Sequence, residues 1–257
     1  MQHILSLSYG KDSIACIGAI KALGLPLDRI VHVDVWATDT IPADLPLMVE
    51  FKKKADRIIK QMTGIDVEHI RSEYTFESYF YKRRGGRAKY ANRINGFPML
   101  RRNWCVGRLK TEIIDKQYKN AIAYIGIAAD EPKRIARHSV PGKVLPLVQI
   151  GWDEAYCRKW CEEHDLLSPI YTTAARGGCW FCHNQSVEQL RLLRRNHPEY
   201  WQLLLKWDAD SPVSFKPNGH TVHDYDRRFA LEDEGVIVPG KHFFWRMLDE
   251  DIQTRLF

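Results

Sequence analysis

The chain has 257 residues, 45% hydrophobic, 27% charged and 11% aromatic, with six cysteines and a formal net charge of +6. Such a composition excludes a fibrous, collagen-like or disordered protein, and the length suits one large domain with a smaller extension. No apolar run approaches the roughly 18 residues of a membrane span, and Met1-Gln2-His3-Ile4 lacks the basic start of a signal peptide. The expectation is a cytoplasmic protein without membrane contact.

Residues 3–8 read as a short apolar strand ending in the turn Ser8-Tyr9-Gly10-Lys11-Asp12-Ser13. Ile14, Ile17, Ile20 and Leu23 then recur at near-helical spacing, with Gly18 tolerated inside the helix and Gly24 just past its end. The β-branched run 29–35 predicts a second buried strand. Leu47, Phe51, Ala55, Ile58, Ile59 and Met62 follow a 3.6-residue period that Gly64 ends. Residues 66–70 predict a third strand, and 121–127 and 144–148 two later ones. Strands alternating with helices predict an α/β fold with a doubly wound, mostly parallel sheet.

Between the third strand and residue 121 lies a basic stretch, Lys82-Arg83-Arg84-Gly85-Gly86-Arg87-Ala88-Lys89-Tyr90, continuing to Arg101-Arg102-Asn103-Trp104-Cys105. It has no clean period and reads as a long loop or insertion. Interleaved with Tyr79, Phe80 and Tyr81, it suits either phosphate contacts and base stacking on a nucleic acid or a solvated loop closing over a nucleotide. Residues 153–163 predict a helix with Cys157 and Cys161 one turn apart, read as a half-buried stripe. Val187, Leu190 and Leu193, then Pro198 with Tyr200, Leu203 and Leu204, predict two further helices, with Arg191, Arg194 and Arg195 on an exposed face. The tail from Asp210 reads as irregular. Its knot of His220, His223, Asp224 and Asp226 is either a metal site or a solvated loop. The division expected is 1–170 for the α/β domain and 171–257 for a helical, cysteine-containing extension.

The turn at residues 8–13 hands a strand over to a helix, where free amides and the helix dipole converge on an anion. Gly10 permits close approach, Ser8 and Ser13 offer hydroxyls, Lys11 a cation, and Asp12 suits Mg²⁺ arriving with phosphates. Ser-Tyr-Gly-Lys-Asp-Ser resembles the SGGKDS signature of the PP-loop ATP pyrophosphatases, the adenine nucleotide alpha-hydrolase-like superfamily, and especially their PAPS reductase-like branch. Tyr9 stands in place of the first glycine. Val33-Asp34 falls where the family's adenine- and ribose-side loop lies. Residues 124–134 resemble the family's segment facing phosphate or sulfate, with Gly126 and Arg134 carried over and Ala128 near the usual first arginine. Pro146-Leu147, Gly151-Trp152 and Pro169-Ile170-Tyr171 match further landmarks. The resemblance spans roughly residues 1–200 and implies binding of ATP with Mg²⁺ through Ser8, Gly10, Lys11, Asp12, Ser13, Asp34 and Gly126, with Lys11, Asp12 and Arg134 as catalytic residues.

Six cysteines in a long chain without an export signal argue against disulfides. Cys179-Trp180-Phe181-Cys182 is a CxxC; alone it suits a redox pair or half a zinc site. Asn103-Trp104-Cys105-Val106-Gly107-Arg108-Leu109-Lys110 resembles the branch's R-W-C-T-x-x-L-K segment. That resemblance implies a [4Fe–4S] cluster on Cys105, Cys179 and Cys182, with Arg108 and Lys110 balancing charge or holding a substrate anion. The fourth position is open or taken by Cys157 or Cys161; with zinc instead, His183 is the fourth ligand. Cys16 reads as core. The C-terminal cysteine that serves PAPS reductases as nucleophile has no counterpart after Cys182.

The resulting expectation is an enzyme that forms AMP and pyrophosphate from ATP and transfers sulfur to a nucleotide, tRNA or DNA. Its sulfur donor would be a protein such as a cysteine desulfurase, and a homodimer is compatible with it. The alternatives are a sulfonucleotide reductase and a non-catalytic nucleotide-binding protein.

Overall fold

The computed structural model describes residues 1–86, 92–98, 103–172, 177–239 and 245. Five strands, β1 (Gln2–Ser6), β2 (Arg29–Asp34), β3 (Val67–Arg71), β4 (Ala121–Tyr124) and β5 (Lys143–Val144), form one sheet in the order β3-β2-β1-β4-β5. Every pairing is parallel, with Ile4 opposite Arg29, Gln2 opposite Ala121, Ile30 opposite Val67 and Ala123 opposite Lys143. The helices are α1 (Lys11–Ala22), α2 (Pro46–Thr63), α3 (Phe76–Tyr81), α4 (Trp104–Val106), α5 (Glu112–Gln117), α6 (Pro132–His138), α7 (Pro146–Ile150), α8 (Glu154–Glu163), α9 (Val187–Asn196), α10 (Pro198–Asp210) and α11 (Val222–Asp233). A π-helical turn (Gly107–Thr111) joins α4 to α5, and a 3-10 turn spans Pro169–Thr172.

The chain steps outward from β1 to β3 and then returns past β1 to β4. With right-handed crossovers, this reversal puts helices on both faces of the sheet. It also creates a switch point between the carboxyl ends of β1 and β4, where open α/β sheets receive ligands. The α/β class and parallel sheet expected from the sequence are therefore present.

Two compact units divide the chain: Met1–Ser78 with Trp104–Cys179, and Tyr79–Asn103 with Trp180–Phe257. In the first, α1 is buried from Ser13 to Ile20. It lies against α8 so closely that a Cβ on Gly18 would stand 2.5 Å from the Trp160 ring. Gly18 is thus required by packing. Cys16, Cys157 and Cys161 share this layer with no exposed surface. On α2, Phe51, Ala55 and Ile59 are buried, as their spacing predicts.

Two late strands are shorter than expected. β4 stops at Tyr124, although the Ile125 amide still reaches the Val144 carbonyl at 3.0 Å. β5 stops at Val144 because Pro146, which lacks an amide donor, opens α7.

In the second unit, the tail expected to be irregular contains α11. Thr221 and Asp224 form a capping box at its start. Arg191 and Arg194 do not form an exposed face. Arg191 bonds Glu232 at 2.7 Å, and Arg194 bonds Asp226 at 2.9 Å and Asp233 at 2.5 Å, tying α9 to α11. The polar knot is divided among separate tasks: Asp224 caps, Asp226 also accepts from Trp201 Nε1 at 2.6 Å, and His223 Nδ1 lies 2.6 Å from Asp208. Among the described residues it forms no common cation site.

The start of the basic stretch is ordered too. Arg83 bridges Ile94, and Arg84 and Arg93 are joined by a backbone bond of 2.9 Å. Arg83 and Arg84 side chains donate to the carbonyls of Asn92 and Asn95 at 2.6 and 2.8 Å. Arg87, Ala88, Lys89, Tyr90, Arg101 and Arg102 lie outside the described residues.

Candidate functional site

The site lies in the first unit, at the carboxyl end of β1. Gly10 is extended and serves as N-cap of α1, its carbonyl accepting the Ile14 amide at 3.0 Å. The two serines close the loop on itself. Ser8 donates its amide and its hydroxyl to Ser13 Oγ at 3.1 and 2.9 Å, and Ser13 Oγ donates to the Gly10 carbonyl at 3.0 Å. Their hydroxyl protons shape the loop instead of pointing at a ligand. Among the described residues, the amides of Gly10, Asp12 and Ser13 have no protein partner. These are the open donors of a helix N-terminus, on the positive end of its dipole. The Lys11 amide donates to the Tyr171 hydroxyl at 3.0 Å.

Gly126 brings β4 against this turn. A Cβ there would stand 2.6 Å from Ser13 Cα and 2.7 Å from the Asp12 carbonyl oxygen. No side chain fits, so glycine sets the width of the switch point.

Three carboxylates meet beside the loop: Asp12, Glu131 and Glu154 each place an oxygen within 4.8 Å of the others. Lys11 Nζ lies among them, 2.9 Å from Asp12 and 3.1 Å from Glu154. Burial raises the Asp12 pKa against the pull of Lys11. Burial opposes the Lys11 charge, but its bonds to Asp12 and Glu154 prevail and raise its pKa. Oxygen ligands of this kind suit a hard divalent cation. Arg134, expected to face phosphates, is held by Glu131 at 2.6 Å, and Glu131 also accepts the Ala128 amide at 3.3 Å.

From the loop a crevice of about 210 Å³ runs past Ser8, Gly10, Lys52, Lys110, Tyr171 and Cys179. A charged network forms part of its wall. Lys52, buried on α2, contacts Asp44 at 2.5 Å, His32 Nε2 at 2.7 Å and Asp34 at 3.3 Å. His32 Nδ1 faces the Leu7 carbonyl at 2.7 Å, and its Nε2 faces both the Lys52 ammonium at 2.7 Å and Asp34 at 3.2 Å. Burial lowers the His32 pKa. Asp34 meets His69 Nδ1 at 2.8 Å, and His69 Nε2 lies 3.1 Å from Asp56. The bonds to Asp34 and Asp56 push the His69 pKa up to about 9. Burial alone would raise the Asp34 pKa; the His32 and His69 rings and the Lys52 ammonium hold it well below the usual carboxylate range. His32, Asp34 and His69 also bring ligand atoms within 4.8 Å of one another, with the Lys52 ammonium beside them as the resident cation.

Tyr9 underlies this network. Its φ of +55° is unusual for a bulky residue. Its ring is 1% exposed and its hydroxyl donates to Asp56. Burial and Asp56 raise its pKa. Tyr9 is therefore a strut that ties the loop to α2 through Asp56 and to β3 through His69.

The π-helical turn carries Arg108 and Lys110. Lys110 lines the crevice, while Arg108 pairs with Glu112 at 2.7 Å. Of the thiols, Cys105 on α4, Cys179 in the crevice wall and Cys182 in the second unit are half-buried. Cys157 and Cys161 are fully buried, and burial pushes both thiols up to about 12. Cys161 Sγ donates to the Lys11 carbonyl at 3.3 Å. Both thiols pack in the hydrophobic layer between α1 and α8, as core residues do. His183, the alternative zinc ligand, is buried in the second unit.

Sequence reasoning missed Glu131, Glu154, His32, His69, Lys52 and Tyr171. Lys52 is one of three consecutive lysines between Phe51 and Ala55, and only the fold shows that it is the buried one. The others, too, have only three-dimensional signals. Among the described residues no helix is long and apolar enough to cross a membrane. No protein-family model, no curated protein and no solved structure matches the chain.

Proposed function

We propose that the chain is a PP-loop-type enzyme that cleaves ATP between the α and β phosphates and directs sulfur to the adenylylated acceptor. The observation that carries this reading is the set of open amides of Gly10, Asp12 and Ser13 at the β1/β4 switch point. Backbone donors fixed in place there are matched to phosphate oxygens. An acceptor oxygen attacks the α-phosphorus, the bond to the bridging oxygen breaks, and pyrophosphate leaves. A sulfur nucleophile then displaces AMP. The acceptor class is a nucleotide or a tRNA or DNA strand, and the donor a protein such as a cysteine desulfurase.

Asp12, Glu131 and Glu154 would hold Mg²⁺, which supplies charge neutralisation to the phosphates when bound. Lys11 keeps two of these carboxylates paired in the absence of the cation. The donor set also suits the second cofactor. Cys105, Cys179 and Cys182 are the three half-buried thiols, while the other three are fully buried. They would hold a [4Fe–4S] cluster, or zinc, and the cluster would supply a binding place for sulfur.

The test is anaerobic incubation with MgATP and a tRNA or DNA acceptor, with nucleotides resolved by chromatography. AMP and pyrophosphate in equal amounts are expected. Release of ADP and phosphate, or no ATP binding at all, would overturn the reading.

A further inference from the structure

We infer that Tyr171 is a ligand-binding residue of the phosphate loop, supplying the hydroxyl donor that the two loop serines do not. The inference rests on the reading of that loop as a phosphate site. The Ser8 and Ser13 hydroxyls donate to Ser13 Oγ and to the Gly10 carbonyl, so each proton is already engaged within the loop. Tyr171 differs. Its oxygen accepts the Lys11 amide at 3.0 Å, and among the described residues its own proton has no acceptor.

The position of the hydroxyl is defined by the loop. It lies 3.5 Å from where a Cβ on Gly10 would sit, the same distance as Ser8 Oγ on that residue. It therefore stands over the N-cap, beside the open amides of Gly10, Asp12 and Ser13. The ring lines the same crevice as Gly10, Lys52 and Cys179. The turn Pro169–Thr172 holds it there, with the Tyr171 amide bonded to the Ser168 carbonyl at 3.2 Å.

A hydroxyl that accepts from an amide is polarised toward donation, and hydrogen bonds to a charged acceptor are stronger than those between neutral groups. Lys11 N–H, Tyr171 O–H and a phosphate oxygen would form one relay. Burial raises the Tyr171 pKa, keeping the phenol protonated and able to donate. The chemical class recognised is a di- or triphosphate oxygen, not a base or a sugar.

Titration of the full-length protein with inorganic pyrophosphate, followed by calorimetry, tests this in wild type and Tyr171→Phe. The variant should bind pyrophosphate about tenfold more weakly at an unchanged thermal unfolding midpoint. Tyr171→Ser, which keeps a hydroxyl but cannot reach the loop, should match Tyr171→Phe in affinity. Unchanged affinity in Tyr171→Phe would overturn the inference and leave the phosphate loop standing. Tighter binding would overturn it too, making the hydroxyl a competitor for the Lys11 amide. If wild type does not bind pyrophosphate, the phosphate reading of the loop fails first, and this inference with it.

Discussion

The Tyr9 ring meets the His32 ring edge-on, with centroids 4.7 Å apart and planes at 77°. This contact links the turn at residues 8–13 to β2, and the Tyr9 hydroxyl extends the link to Asp56 on α2. A positive φ at a tyrosine persists only where surrounding structure holds it, and this network does so. Tyr9→Phe keeps the ring and removes the hydroxyl, leaving Asp56 with one fewer buried donor. It should cost about 1–3 kcal/mol, read by urea unfolding. Tyr9→Gly relaxes the backbone, yet it should cost more, about 3–5 kcal/mol, because the buried ring is lost. Equal stability of Tyr9→Gly and wild type would show that the ring is not a strut.

The His69 pair predicts a definite pH dependence. The folded-state pKa of His69 is raised from 6.5 to about 9. Its contribution to stability is therefore complete below about pH 6.5 and is lost as pH rises through 9. His32, whose folded pKa is lowered, works in the opposite sense and loses stability as pH falls below its unfolded value. Asp34, also lowered, contributes above the ordinary carboxylate range and loses its share in acid. The difference in unfolding free energy between wild type and His69→Gln isolates the first of these. It should be flat from about pH 5 to 6.5 and shrink toward zero by about pH 9 to 10. A difference that grows with pH would mean that His69 is neutral in the folded state.

Gly126→Ala probes the switch point. The added methyl has backbone on two sides, Ser13 Cα and the Asp12 carbonyl, and neither can rotate away. Forcing β4 and α1 apart should cost about 1–3 kcal/mol and lower pyrophosphate affinity by about tenfold or more, since the open amides move with α1. Retention of both properties would mean that the turn is looser than its contacts indicate.

The sheet was legible because β1, β2 and β4 are rich in apolar residues and the first two helices carry a period ended by Gly24 and Gly64. The β5–α7 boundary was not, because Val144 and Val148 look alike in a window while Pro146 between them decides the outcome. Helix α11 was hidden by its own polarity, and by a cap that uses Asp224 where glutamate or glutamine is the usual partner. At the site, the strand-to-helix turn at residues 8–13 was legible, but the direction of the serine hydroxyls is a matter of three dimensions. The same holds for Tyr171, which lies 160 residues from the amide it meets. Glu131 and Glu154 come from α6's N-cap and α8's first turn, and only the fold brings them to Asp12.

The cysteines separate into two groups with opposite expected phenotypes. Cys16, Cys157 and Cys161 pack α1 against α8 with no exposed surface. Cys157→Ser places a hydroxyl among apolar neighbours and should cost about 1–3 kcal/mol, leaving bound metal per folded protein unchanged. Cys105, Cys179 and Cys182 are half-buried, and serine at any of them removes a soft thiolate that iron and zinc both prefer. Anaerobic purification with iron, sulfide and zinc analysis should show metal in wild type and Cys16→Ser. In Cys179→Ser the metal should be lost while the unfolding midpoint of the metal-free protein stays the same. Iron with matching sulfide identifies a cluster, and zinc without iron replaces it. Metal retained in Cys179→Ser but lost in Cys157→Ser would reverse the assignment and move the centre to the α1–α8 layer.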